Sequence, residues 1–479
     1  MTLLRSVLWL LLGRWFYNII SLISFPIIVS QLTASEYGVF AISSTLLIFT
    51  EVFFAEAVEN TVVRQPGDRP TVAATGMWVS LFYSFLFASI FYLAAKPISS
   101  FYENPLYGQI VEAISGLVIL QGLAVIPRAL FLRSGRPRQL ALCLSLGNLV
   151  GAALAITAVF HGFGVWSLLV QQASLQLAVL VLGCSMTGFL PSLRINWTIA
   201  RSMGRFTWFS LWSSVFNISS NRLDIILLSA TFDERISGIY GLAKRLIQIL
   251  QDLVASSFDK VFLSLHARNK ALGSTGGTGT LYRQSVVAQS VLVFPSFAGF
   301  ALVAHQLIPM IFGEEWSYAA PLIVLMALGG IFRSLVTIER ADQFAEGLVG
   351  RLLWVRLIEF VISIIIIFPA VRWGPAAVAA AFSLRYVISY ILVLSSYGQT
   401  PGYLLQKLAR LLRWQLPILT ATAVMIASVL AARTMLNLQG MAGLVSEVGL
   451  GATAYVTVLL ILRGSWWDSA LGRDTERRA

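Results

Sequence analysis

Charge is scarce in this chain. Asp, Glu, Lys and Arg make up 12% of its 479 residues, where a soluble globular domain carries about 25%, and the shortage excludes an ordinary water-soluble fold. Cysteine and histidine are scarcer still, at two and three residues. Cys143 and Cys184 both lie inside apolar runs, which excludes a disulfide framework and argues against a bound metal. His161, His266 and His305 fall near the ends of apolar runs, where an interfacial position suits them better than catalysis. The chain has no paired-His motif, no nucleophile elbow and no long polar segment to form a soluble catalytic domain, so no catalytic residue is assigned. Its glycine-rich stretch, Gly273 to Thr280, lacks the Gly-Lys-Ser/Thr ending of a phosphate-cradling loop. Neither ATP hydrolysis nor a resident cofactor is expected.

What is present is apolar sequence: 57% of the residues are hydrophobic and the mean hydropathy is +0.79. Apolar runs of about 20 residues, the length that crosses roughly 30 Å of hydrocarbon as helix, follow one another along the chain. The formal net charge of +12 sits in short clusters between those runs, which marks topology and not nucleic-acid binding. Leu8 to Ser30 is longer than a signal-peptide core and reads as a retained first span.

Length and polar punctuation predict about fourteen spans, among them 206–230, 236–262 and 318–340. Loops on the cytoplasmic side of a membrane are rich in Lys and Arg, and alternate gaps obey that rule. The odd-numbered gaps hold only Lys96, Arg235, Arg372 and Arg433, whereas the even-numbered ones carry clusters such as Arg64 with Arg69, Arg133 with Arg136 and Arg138, and Lys407 with Arg410 and Arg413. Both termini are therefore expected in the cytoplasm. The linkers Phe189 to Arg205 and Gly398 to Arg413 are either basic amphipathic helices on the inner leaflet or solvated connections.

Echoes divide the chain. Gly13-Arg14-Trp15 and Glu36-Tyr37-Gly38-Val39-Phe40-Ala41 return as Gly204-Arg205-Phe206 and Ile239-Tyr240-Gly241-Leu242-Ala243, and Arg128 and Arg333 each follow a glycine-containing apolar segment. The expected fold is an all-α polytopic membrane protein. Residues 1–190 and 191–397 form two six-helix lobes related as a parallel repeat, and residues 398–479 add two helices and a basic tail. Repeats of this kind commonly hold a transporter's site between the lobes.

Ionisable groups inside spans mark pathways. In the seventh span Ser213, Asn217, Asn221 and Asp224 form one polar stripe, and in the eighth Tyr240, Lys244, Gln248 and Gln251 form another with Arg245 beside it. The first span offers Arg14 and Asn18, the second Glu51, and the twelfth Arg385. Arg14, Arg222, Lys244, Arg245 and Arg385 are the candidate cationic substrate contacts. Asn18, Asn217, Asn221, Gln248 and Gln251 are candidate polar lining, and Asp224 and Glu51 are candidate ion-coupling acids. Arg128, Arg333, Arg340 and Arg356 lie near expected cytoplasmic ends, where snorkelling to headgroups accounts for them, and Glu56 and Glu59 are expected to pair with Arg64. A surplus of buried cations suits an anionic substrate, because guanidinium forks match phosphate oxygens.

The segments Gln31-Leu-Thr-Ala-Ser-Glu-Tyr-Gly38, Leu132-Arg-Ser-Gly-Arg-Pro137, Gly162-Phe-Gly-Val-Trp166, Ile239-Tyr-Gly-Leu-Ala243 and Pro309-Met-Ile-Phe-Gly-Glu-Glu-Trp316 resemble, in order, one family. This is the polysaccharide or lipid-linked oligosaccharide flippase branch of the multidrug/oligosaccharidyl-lipid/polysaccharide exporter superfamily. The resemblance implies two six-helix lobes, alternating access, and movement of an undecaprenyl-pyrophosphate-linked glycan across a bacterial cytoplasmic membrane. It also implies a cationic lumen, carried over to Arg14, Arg222, Lys244 and Arg245. Its implied partners are the lipid-linked glycan, membrane lipids and other polysaccharide assembly proteins. A cation-coupled multidrug antiporter of the same superfamily, or a membrane glycan polymerase or ligase, is the alternative reading.

Overall fold

A computed structural model describes residues 2–190, 192, 194–255, 278–346, 349–397, 401–436 and 440–462. Among these residues the chain is all-helical, with no strand. The helices are α1 (Thr2–Val29), α2 (Ala34–Phe54), α3 (Asn60–Arg64), α4 (Arg69–Phe101), α5 (Pro105–Arg133), α6 (Pro137–Phe160), α7 (Trp166–Thr187), α8 (Trp197–Ser229), α9 (Glu234–Val254), α10 (Thr278–Phe312), α11 (Ala319–Glu346), α12 (Val349–Ala370), α13 (Pro375–Ser395), α14 (Pro401–Leu436) and α15 (Gly440–Ile461). A π-helical turn, Ala55–Glu59, joins α2 to α3.

Among the described residues, 11 helices are long and apolar enough to cross a membrane. The expected fourteen exceeds this by α1, α8 and α9. The apolar part described for α1 is short, Trp15–Val29. Helix α9 carries Glu234, Arg235, Lys244, Arg245 and Asp252, and α8 carries Arg201, Arg205, Arg222 and Asp224. The surface is that of a membrane protein: Phe82 is 65% exposed, Leu93 73% and Trp354 69%, side chains that water would drive inward and hydrocarbon does not.

Local signals fix where the helices begin. Thr33 and Glu36 make a reciprocal capping box at α2, with Glu36 N–H donating to Thr33 Oγ1 at 3.2 Å and Thr33 N–H to Glu36 Oε2 at 3.0 Å. Asp68 caps α4, accepting the Thr71 N–H at 3.0 Å ahead of Pro70 in the first turn. Gly374 adopts φ 95°, a turn L-residues resist, and Pro375 then starts α13.

The chain divides into two compact units, Met1–Gly241 and Leu242–Ala479. In the first, α5 packs on α4, α7 and α2, and α6 packs on α1 and α7. Its core is aromatic and β-branched, with Phe53, Phe87, Phe91, Tyr107, Ile110 and Ile126 buried together and the Phe53 and Phe87 rings edge-on at 4.9 Å. Small residues set the closest approaches, as lipid-embedded helices require. A Cβ at Gly238 would overlap the Ala34 carbonyl, and one at Gly38 the Glu234 carbonyl, so the starts of α2 and α9 touch backbone to backbone.

In the second unit, α11 packs on α13 and α10, and the pair α14–α15 packs on α10. Helix α14 does not start as a separate surface helix. It runs unbroken for 36 residues, about 54 Å at ~1.5 Å per residue, and its buried stripe of Lys407, Leu411, Gln415 and Ile418 turns into the bundle. Phe189 to Arg205 also departs from the amphipathic-helix expectation. Helix α8 starts only at Trp197, where Asn196 Oδ1 accepts the Ile199 N–H at 3.1 Å.

Candidate functional site

Helix α13 carries the site in Leu242–Ala479. Phe382 and Tyr386, four residues apart, lie on one face with ring centroids 5.0 Å apart at 72°. Ser383 locks that face to α11, accepting the Gly329 N–H at 2.9 Å and donating to the Leu325 carbonyl at 2.5 Å. Three cations gather at the two rings. The Arg385 guanidinium lies 4.4 Å from the Tyr386 centroid and donates through Nη1 to Ser363 Oγ at 3.3 Å. Arg333 of α11 approaches the same ring at 5.6 Å, and Lys244 of α9 lies 5.8 Å from the Phe382 centroid. Lys244 and Arg385 are only 7% and 5% exposed.

All three cations sit at mid-helix. At ~1.5 Å per residue, Lys244 is about 15 Å past Glu234, Arg385 about 15 Å past Pro375, and Arg333 about 21 Å past Ala319. A cation at such depth costs about 2.5–3.5 kcal/mol on insertion scales, which an aromatic face offsets by about 2 kcal/mol when desolvated. This overturns the snorkelling reading of Arg333, because α11 continues to Glu346 and leaves the residue far from either end. Arg128 and Arg340 also have partners within the protein. Arg128 Nε lies 3.2 Å from Glu59 Oε2, so Glu59 pairs there and not with Arg64, and Arg340 pairs with Glu359.

Met1–Gly241 holds buried charges of its own. Asp224, 2% exposed, accepts the Tyr240 hydroxyl at 2.7 Å and the Ile225 N–H at 2.9 Å. The π-turn carries Glu59, paired with Arg128, and Glu56, which accepts the Ser214 hydroxyl at 3.5 Å. Such turns recur at functional sites. Asn18 is buried, Asn221 and Arg222 are half-buried and Glu51 is exposed. In the second unit Arg245 and Gln248 are half-buried and Gln251 is buried, its Oε1 without a hydrogen-bond partner among the described residues. The side chains of Arg14 and Asn217, and the stretch 256–277, lie outside the described residues. No group of three or more metal-ligating side chains occurs among the described residues.

One charged cluster was not anticipated. Glu339 of α11 accepts Lys407 Nζ at 3.0 Å and the Tyr282 hydroxyl, and the ammonium lies 3.3 Å from the Tyr397 ring centroid. Tyr397 donates its hydroxyl to Asp342 Oδ2 at 2.8 Å. At the far end of α14, Arg433 grips Glu447 of α15 through Nε at 3.0 Å and Nη2 at 2.7 Å, and Gln306 of α10 donates to the same carboxylate at 3.0 Å. A buried ion pair thus ties α14 to α11 near one end of α14, and a half-buried one ties it to α15 near the other.

An all-helical bundle with cations and acids held at mid-span is the build of a multi-pass membrane transporter. Residues 27–321 match the family described as Polysaccharide biosynthesis protein, and the chain belongs to that family. The resemblance expected from the loop motifs is thereby met. The succinoglycan biosynthesis transport protein ExoT of Rhizobium meliloti (strain 1021) is 23% identical over 335 residues, 68% of this chain and 66% of that protein. The teichuronic acid biosynthesis protein TuaB of Bacillus subtilis (strain 168) is 19% identical over 341 residues, 71% of this chain and 70% of that protein. The matched part thus spans about two thirds of these relatives' length. The solved structure of the lipid II flippase MurJ, in an inward closed conformation, superposes with a TM-score of 0.75 at 13% identity, covering 94% of this chain and 98% of that one. The two share a fold.

Proposed function

We propose that this chain moves an undecaprenyl-pyrophosphate-linked oligosaccharide across the bacterial cytoplasmic membrane by alternating access, for exopolysaccharide or lipopolysaccharide assembly. It acts as a transporter and not as an enzyme. The observation that carries the reading is the gathering of Lys244, Arg333 and Arg385 at mid-helix around Phe382 and Tyr386. Cations held in a low-dielectric span attract a diphosphate headgroup. Membership of a polysaccharide biosynthesis family and relatives named for polysaccharide transport support a glycan-bearing lipid as cargo. In this reading Arg14, Arg222 and Arg245 are further cationic substrate contacts, and Asp224, with Glu51, couples transport to an ion.

Deleting the protein from its host should leave lipid-linked repeat units on the inner leaflet, detected by extracting the lipid fraction and probing leaflet sidedness. Replacing Lys244 and Arg245 by Ala should abolish export while the protein remains in the membrane, and normal export by that variant would remove the site assignment. Unaltered export in the deletion strain, joined to new dye sensitivity, would instead identify a multidrug antiporter. Repeat units that cross but stay unpolymerised would identify a polymerase or ligase.

A further inference from the structure

The linker from α7 to α8 is built into one corner of Met1–Gly241, together with the α3–α4 turn and the end of α5. Arg133 donates to the Val62, Gln65 and Gly67 carbonyls at 2.7, 2.8 and 2.8 Å, and Arg69 to the Thr187 carbonyl at 3.0 Å. Trp78 Nε1–H donates to the Ser192 carbonyl at 3.0 Å, Asn196 N–H to Thr75 Oγ1 at 3.1 Å and Ser202 Oγ–H to Gln65 Oε1 at 3.4 Å. A free solvated connection has no such fastening. Yet this pinned linker turns apolar side chains outward, with Leu190 82% and Trp197 80% exposed. Arg64, Arg136, Arg194 and Arg201 are exposed on the same corner. Trp197 and Arg201, four residues apart, share the outer face of α8, while Ile199 and Met203 pack into the core behind them.

We propose that this corner docks on anionic phospholipid, with Leu190 and Trp197 seated in the headgroup zone and Arg194 and Arg201 against lipid phosphates. Side chains so apolar and so exposed are costly in water, and the membrane interface satisfies both the ring and the N–H of tryptophan. Charge complementarity names the lipid. The arginines set this corner on the cytoplasmic side, and the leaflet there carries negative surface potential. Asp68 is the only acid among residues 60–69, 132–139 and 187–202, and its carboxylate is engaged as the α4 cap. Because hydrogen bonds to α4 fix the linker beforehand, docking orders little new chain. Such a linker is neither an amphipathic helix nor a solvated connection, the two forms its sequence suggests. The transport reading neither requires nor excludes this surface.

A nitroxide on Leu190→Cys, in the full chain carrying Cys143→Ala and Cys184→Ala, reads the depth of the corner in nanodiscs of phosphatidylcholine with and without phosphatidylglycerol. With phosphatidylglycerol present, oxygen should reach the label more readily than an aqueous nickel chelate does. Arg194→Gln with Arg201→Gln, and separately Trp197→Ala, should shift the label back toward water. A label that favours the chelate in both lipids overturns the docking. One equally deep with and without phosphatidylglycerol, and unmoved by the arginine changes, overturns the anionic partner. A label open to the chelate in nanodiscs but shielded in native membranes identifies a protein partner and likewise overturns the lipid. Native mass spectrometry of the chain with both cysteines in place needs no label. There Arg194→Gln with Arg201→Gln should retain phosphatidylglycerol several-fold less tightly, and undiminished retention overturns the surface even if the labelled variants fail to fold.

Discussion

The two units solve the same problem, charge inside a bundle, in opposite ways. In Met1–Gly241 the buried carboxylate of Asp224 accepts hydrogen bonds from Tyr240 Oη–H of α9 and from the Ile225 backbone N–H of α8. Around α13 in Leu242–Ala479 the cations rest on aromatic rings, contacts that stabilise charge through a π-face. The difference separates two roles. A hydrogen-bonded acid is suited to exchange a proton or small cation with little rearrangement, and a cation on a ring is suited to receive an anion. The same unit also shows what a purely structural charge looks like, because the Lys407–Glu339 pair is closed by Tyr282 and Tyr397 on every side described.

That contrast is broken most strongly at the closed pair. Lys407 and Glu339 have side chains 10% and 2% exposed, so Lys407→Met strands a buried carboxylate and should cost about 3–5 kcal/mol. The double variant Lys407→Met with Glu339→Leu removes both charges and should return most of that loss. Thermal melts of the detergent-purified protein measure both, and a single variant as stable as the wild type would show that the pair does not fasten α14. Tyr240→Phe in the first unit should be milder, at about 1.5–3 kcal/mol for a hydrogen bond to a charged group. It also sharpens the comparison functionally. If Asp224 couples transport to an ion, the variant should move the ion dependence of export.

Much of this was legible in one dimension. Helix starts were written locally, in Thr33 with Glu36 and in Gly374 with Pro375, and apolar runs of spanning length predicted an all-helical fold. Lys244 and Arg385 stood out because charges deep inside apolar runs need a reason. Arg333 did not, because its span was expected to end at 340. The apolar run marks where hydrocarbon contact ends, whereas α11 continues to Glu346, with Asp342 and Gln343 buried. Pairings through space were not legible either. Glu339 and Lys407 are 68 positions apart, and nothing in the periodicity of α14 distinguished a lysine facing the bundle from its neighbours Arg410 and Arg413, which face outward.

The smallest expected effect lies outside the membrane-spanning segments and gives the comparison its reference in water. Asp68 is exposed, and the Thr71 backbone N–H, followed by the Thr71 hydroxyl and the nearby Arg133, holds its carboxyl below the ordinary value of 3.8. A carboxylate whose folded value is depressed stabilises the fold above its unfolded value and loses that contribution as pH falls through the folded one. Asp68→Ala should therefore lower the melting temperature slightly at neutral pH. The gap between variant and wild type should shrink below about pH 4, where the unfolded carboxyl gains its proton. A pH-independent gap would mean that the α4 cap acts through its shape alone. Lys407→Met offers the contrast at neutral pH: the same kind of single-charge change carries a far larger cost when the partner left behind is enclosed by helices instead of water.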